Sequence, residues 1–152
     1  MNQTCLFRLM NDALRDEHDK YLEMLELSNE QISFLRETDP DTERIAGLMH
    51  QKIQIAEELQ VLGHNHQQVK DQWHLEYQQC SSDERNLIKE IRDASIQTIE
   101  CLNASEGIIA KAIKRCQVDI NKQLGKYQQG RNVNKAYFSQ ESMPPRYIDK
   151  KK

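Results

Sequence analysis

Apolar side chains recur along this chain at steps of three and four, the spacing that keeps them on one face of an α-helix. The first stripe reads Phe7, Met10, Leu14, His18, Tyr21, Leu25, Ser28, Ile32 and Leu35, and it predicts a helix over about residues 5–37. Leu9, Leu22, Met24, Leu27 and Phe34 widen that stripe beyond a two-stranded seam, so this helix should touch more than one neighbour. The polar run from Glu37 to Asp41 ends it, with Asp39 placed to cap a second helix and Pro40 suited to its first turn.

The second stripe is Ile45, Leu48, Lys52, Ile55, Leu59, Leu62, His66, Val69 and Trp73, with Met49 and Ala56 alongside, and it predicts a helix over about 41–79. Gly63 falls inside it, at a cost of about 1 kcal/mol relative to alanine. The phase nevertheless runs unbroken from Leu59 and Leu62 to Val69 and Trp73, which predicts one continuous helix. Ser81 and Glu84 then form an S-x-x-E capping box, the strongest local signal in the chain.

Behind that box the third stripe runs Ile88, Ile91, Ser95, Thr98, Leu102, Ser105, Ile109, Ala112, Cys116, Ile120, Gln123 and Tyr127. It predicts a helix over about 82–129, on the order of 65–70 Å long and stopped at Gly130. This helix outruns the other two, so its far end must protrude or fold back. Ile113, Val118, Ile120, Leu124 and Tyr127 are expected to lack cover from the chain itself, an apolar strip suited to a partner.

These elements predict an all-α fold, an elongated antiparallel coiled-coil-like bundle of three long helices. One helical domain should occupy residues 1–129, followed by a flexible basic and aromatic tail over 130–152. Composition agrees with that shape, because 38% hydrophobic and 30% charged residues suit helices that bury only a narrow stripe. The net charge of −3 is unevenly placed. From residue 130 onward six Lys/Arg face two acidic residues, so the tail stands at +4 and the remainder at −7. Tyr137, Phe138 and Tyr147 make that tail unusually aromatic for a segment without helical period.

Candidate chemistry is sparse. Cys5, Cys80, Cys101 and Cys116 lie far apart in sequence and read as reduced thiols, without the pairing of a disulfide framework or zinc ribbon. His64, His66, His74 and Cys80 are the only group resembling metal ligands, and positions 64 and 66 point to different sides of a helix. His18 reads as a hydrogen-bonded structural histidine, and Trp73 as a core plug. No Gly-rich phosphate loop, nucleophile elbow or His-Glu-x-x-His motif occurs, so neither an enzyme nor a cofactor or metal is expected. The acidic balance argues against nucleic acid. No long apolar run predicts a signal peptide or stable membrane insertion, and the expected location is the cytosol.

Several residues together resemble the bacterial flagellar export chaperones of the FlgN and FliT kind. They are Leu22 and Leu25 with Leu27, Leu59 and Leu62, Trp73 late in the second helix, and Asp83-Glu84-Arg85 opening a long third. The C-terminal Lys135-Ala136-Tyr137 and Tyr147-Ile148-Asp149-Lys150-Lys151-Lys152 complete the likeness. The resemblance implies a chaperone that holds a hook-associated or filament-cap subunit in the cytosol, prevents premature assembly and delivers it to the export gate. Ile109, Ile113, Cys116, Ile120, Leu124 and Tyr127 are then the client-binding candidates, with Tyr137 and Phe138 as export-gate or regulatory contacts. Monomer and homodimer both fit. The competing readings are a generic coiled-coil scaffold or tether and, more weakly, a histidine metal sensor.

Overall fold

A computed structural model of the chain describes residues 3–127. It is all-helical, with no strand among the described residues: α1 spans Gln3–Leu35, α2 Thr42–Glu76, α3 Ser82–Ile113 and α4 Gln117–Tyr127. A single 3-10 turn, Tyr77–Gln79, leads from α2 towards α3. α1 is the central helix and packs along both α2 and α3, whose backbones meet one another little. α2 runs antiparallel to α1, since Glu17 reaches His66 near one end and Gln31 reaches Ile45 near the other. α3 runs parallel to α1, with His18 beside Thr98 and Ser28 beside Glu106.

Three clusters fill the space between the helices. At one end Leu6, Met10 and Leu14 of α1 enclose Trp73, Cys80 and Ile88. In the middle Met24 meets Ile55, Leu59 and Leu102. At the opposite end Ile45, Ala46 and Met49 of α2 and Ile109 and Ile113 of α3 join Ile120 and Leu124 of α4. Each fully buried aliphatic side chain contributes about 1.5–3 kcal/mol, so these clusters rather than helix propensity hold the helices together.

Local signals explain the starts of α2 and α3. Ser81 accepts from the Glu84 backbone N–H at 3.1 Å while the Glu84 carboxylate accepts from the Ser81 N–H at 3.1 Å, the reciprocal box expected at the start of α3. α2 is capped two residues later than the Asp39-Pro40 reading predicts. Asp41 is its cap, accepting from the Arg44 N–H at 3.1 Å, and Pro40 stays outside the helix. Gly63 sits inside α2 without interrupting it.

The third helix departs most from expectation. It is not one rod over 82–129, because it breaks after Ile113 and restarts at Gln117. Arg115 N–H donates to Ala112 at 3.2 Å and Cys116 N–H to Ile113 at 2.8 Å, i to i−3 bonds that tighten the chain into a turn. No glycine or proline marks residues 112–117. The cause is burial: α1 ends at Leu35, and a straight continuation would leave Ile120 and Leu124 in water. Turning back onto α2 leaves Ile120 0% and Leu124 1% exposed, which outweighs the few helical hydrogen bonds given up.

A candidate partner groove closed by a short helix

The residues expected to form an open strip are brought together, but they face inward. Ile109, Ile113, Ile120 and Leu124 all belong to the buried cluster at the α4 end, with Cys116 partly buried against it. The expectation of an uncovered strip is therefore corrected for Ile113, Ile120 and Leu124, because α4 turns them onto Ile45, Ala46 and Met49. Tyr127 stays exposed, at 41%. The Val118 side chain, Tyr137 and Phe138, and the tail over 130–152 lie outside the described residues.

The groove beneath α4 has an α2 wall and an α3 wall. Ile45, Ala46 and Met49 supply the first and Ile109 and Ile113 the second, with Ile32, Phe34, Leu35 and Ile53 packed around them. Its far end is shaped by an aromatic contact. Tyr127 stacks on His50 with ring centroids 5.0 Å apart and planes 18° from parallel. The Tyr127 hydroxyl lies 3.2 Å from where a side-chain carbon at Gly47 would stand, so the missing side chain there makes room for the ring. Beyond Tyr127 opens a cavity of about 440 Å³ lined by Glu30, Asp41, Glu43, Arg44, Leu48 and Gln51. Arg44 is held over the Phe34 ring at 4.5 Å.

The fit of α4 is incomplete in its polar groups. His50 Nδ1, Asn121 Oδ1 and Gln123 Oε1 are buried with no hydrogen-bond partner among the described residues. Each such group costs about 1–3 kcal/mol. α4 thus binds through its aliphatic residues and is opposed by its own amides. Its cover is also short, 11 residues on a turn of three.

One polar layer separates this end from the middle of the molecule. Lys52 is only 1% exposed, contacts the Glu106 carboxylate and donates to Gln31 Oε1 at 2.7 Å. Gln31 Nε2 donates in turn to the Ile45 carbonyl at 3.2 Å, and Ser28 Oγ to Glu106 at 3.0 Å. Burial pulls the Lys52 ammonium below the usual lysine range, against the opposing pull of Glu106. Lys52 and Ser28 sit on the apolar stripes of the sequence, which gives no sign that both reach the Glu106 carboxylate. Only the tertiary register of α1, α2 and α3 reveals it.

The remaining chemistry-bearing residues are tied into the scaffold. Glu17 accepts from Lys70 at 2.8 Å and lies 2.8 Å from His66 Nδ1, and His18 Nε2 lies 3.1 Å from Thr98 Oγ1. Trp73 is 4% exposed. Among the described residues no group of three or more His, Cys, Asp or Glu side chains is arranged to hold a metal ion. No disulfide joins Cys5, Cys80, Cys101 or Cys116, and burial with the neighbouring Glu84 charge pushes the Cys80 thiol up, against Arg85, which disfavours its reactive thiolate. No helix among the described residues is long and apolar enough to cross a membrane.

Among the described residues, fold and site together define three long helices with an apolar cluster at one end that a short fourth helix closes. No protein-family profile, curated protein or solved structure matches the chain.

Proposed function

We propose that this protein holds an amphipathic helix of another protein in the groove now filled by α4, and that it acts as a flagellar type III export chaperone. In this reading it binds a hook-associated or filament-cap subunit in the cytosol, keeps it from assembling early and hands it to the export gate. The coiled-coil-like bundle of α1, α2 and α3 is the scaffold, and catalysis plays no part. The observation that carries the reading is the closure of a deep apolar surface by a short helix that leaves buried amide oxygens unpaired. A permanent core has little reason to be closed that way, whereas a surface that must be kept dry until its partner arrives does.

The roles of the candidate residues follow from their positions. Ile109, Ile113 and Cys116 belong to the groove side, which a client would contact directly. Ile120, Leu124 and Tyr127 belong to the cover, which a client would replace. The FlgN- and FliT-like residues of α1, α2 and α3 and the aromatic basic tail support the choice of client class. Tyr137 and Phe138 are proposed to contact the export gate.

Co-purification with purified hook-associated and cap subunits tests this, using the full chain and its Ile120→Asp/Leu124→Asp form, which unseats α4. The expected result is a one-to-one complex with one subunit, bound more tightly by the altered form. If neither form binds any subunit and the chain instead forms a stable homodimer, it is a coiled-coil scaffold.

A further inference from the structure

α4 shows what its groove accepts. Ile120 and Leu124 stand four residues apart and Tyr127 three further on, which places all three on one helix face. Each has a matched receptor. The two aliphatic side chains enter the cluster of Ile45, Ala46, Met49, Ile109 and Ile113. The aromatic ring lies on His50 and over Gly47, where no side chain competes for the space. The rim beyond the ring carries Glu30, Asp41 and Glu43 against Arg44 alone, so it favours positive charge on whatever follows the aromatic residue.

We propose that the groove is a receptor for a helix from another protein with aliphatic residues at i and i+4, an aromatic residue at i+7 and basic residues beyond, and that α4 is a deliberately weak resident copy of it. This rests on the groove-binding reading above and specifies the ligand. The weakness of the copy is visible at i+1 and i+3. Asn121 and Gln123 bury amide oxygens there without partners, so a ligand with apolar side chains at those two positions removes both defects. Such a ligand overcomes the advantage that α4 holds by being attached to the chain.

The test uses fluorescein-labelled 11-residue peptides with the α4 sequence, read by anisotropy against the full Ile120→Asp/Leu124→Asp chain. The Asn121→Leu/Gln123→Leu peptide is expected to bind at least about tenfold more tightly than the α4 peptide. Tyr127→Ala is expected to weaken binding by about tenfold. Circular dichroism checks that the altered chain stays helical. Should it not, the unaltered chain serves, since the Asn121→Leu/Gln123→Leu peptide is expected to displace its α4 while the α4 peptide does not. A scrambled peptide of equal composition binding within about threefold, or indifference to Tyr127→Ala, overturns the proposal. The two claims separate cleanly. A client subunit that co-purifies yet is not displaced by the peptide sinks this ligand and leaves the chaperone. A peptide bound in sequence-specific fashion, with no flagellar subunit bound, sinks the client and leaves this ligand.

Discussion

The two ends of the molecule solve the same problem in different ways. At the Trp73 end, Leu6, Met10, Leu14, Cys80 and Ile88 close around one large ring, and the turn above them is fastened by the Ser81–Glu84 box. At the α4 end an equally buried cluster is closed by a separate short helix, carried on a turn of i to i−3 backbone bonds and burying unpaired polar atoms. Burial alone does not distinguish them. The difference lies in how the cover is attached, and attachment decides whether a region opens with the whole protein or by itself.

Trp73→Ala should break the comparison most heavily. Removing a buried indole leaves a large cavity under a fastened turn, and the expected loss is about 4 kcal/mol of global stability in a urea titration. The transition should stay cooperative.

Lys52→Ala comes next, at about 3 kcal/mol, because it removes the ammonium that faces the Glu106 carboxylate in the layer between the two ends. Its pH signature is distinct. The folded pKa lies below the unfolded value of 10.5, so in the window just below 10.5 the unfolded chain holds a proton that the folded chain gives up. Stability contributed through Lys52 therefore rises with pH across that window, and its penalty is full below it. Subtracting the urea stability of Lys52→Met from that of the unaltered chain at each pH should show that slope. A flat difference would mean the ammonium is solvated.

Ile120→Ala/Leu124→Ala sharpens the comparison further. Two independent core truncations of this kind would cost about 6 kcal/mol together. If α4 opens alone, the loss is capped by the free energy of docking α4, and about 2 kcal/mol is expected. Hydrogen exchange should then become fast in residues 117–127 while the amides around Trp73 keep their protection. A loss near the full sum, with both ends exposed together, would show that α4 is part of the permanent core.

The sequence makes one of these ends far more legible than the other. Trp73, Ile88 and the Ser81–Glu84 box announce themselves by period and by capping chemistry, both local properties. The α1 stripe was legible with a shift, since Leu6 and not Phe7 enters the core and Met24 replaces Leu25. The cap of α2 was misplaced by two residues because Asp39 and Asp41 flank the same proline, and only backbone geometry selects between them. The α3–α4 break left no trace, because Ala112, Cys116 and Ile120 keep the helical phase through a turn without glycine or proline. Where α1 ends in space decides that break, and a periodicity reading of α3 carries no such information. Ile113, Ile120 and Leu124 thus lie buried where the sequence suggests an open strip, while Tyr127 stays exposed.

The smallest expected effect is also the one that most directly separates cover from core. Gly47→Ala puts a better helix former inside α2, worth about 0.5–1 kcal/mol in favour of the folded chain. The same methyl group would stand 3.2 Å from the Tyr127 hydroxyl, closer than ordinary contact, so the ring must shift by a few tenths of an ångström beside His50. The two terms act on different events. The first stabilises α2 against global unfolding, and the second weakens the seating of α4. Global stability should therefore change by less than about 0.5 kcal/mol, with gain offsetting loss. Exchange of the 117–127 amides should nevertheless quicken by about threefold, as docking weakens by a few tenths of a kcal/mol. A variant that is more stable globally and slower to exchange in α4 would mean that the ring adapts without cost. Position 47 would then shape the groove no more than any other position of α2.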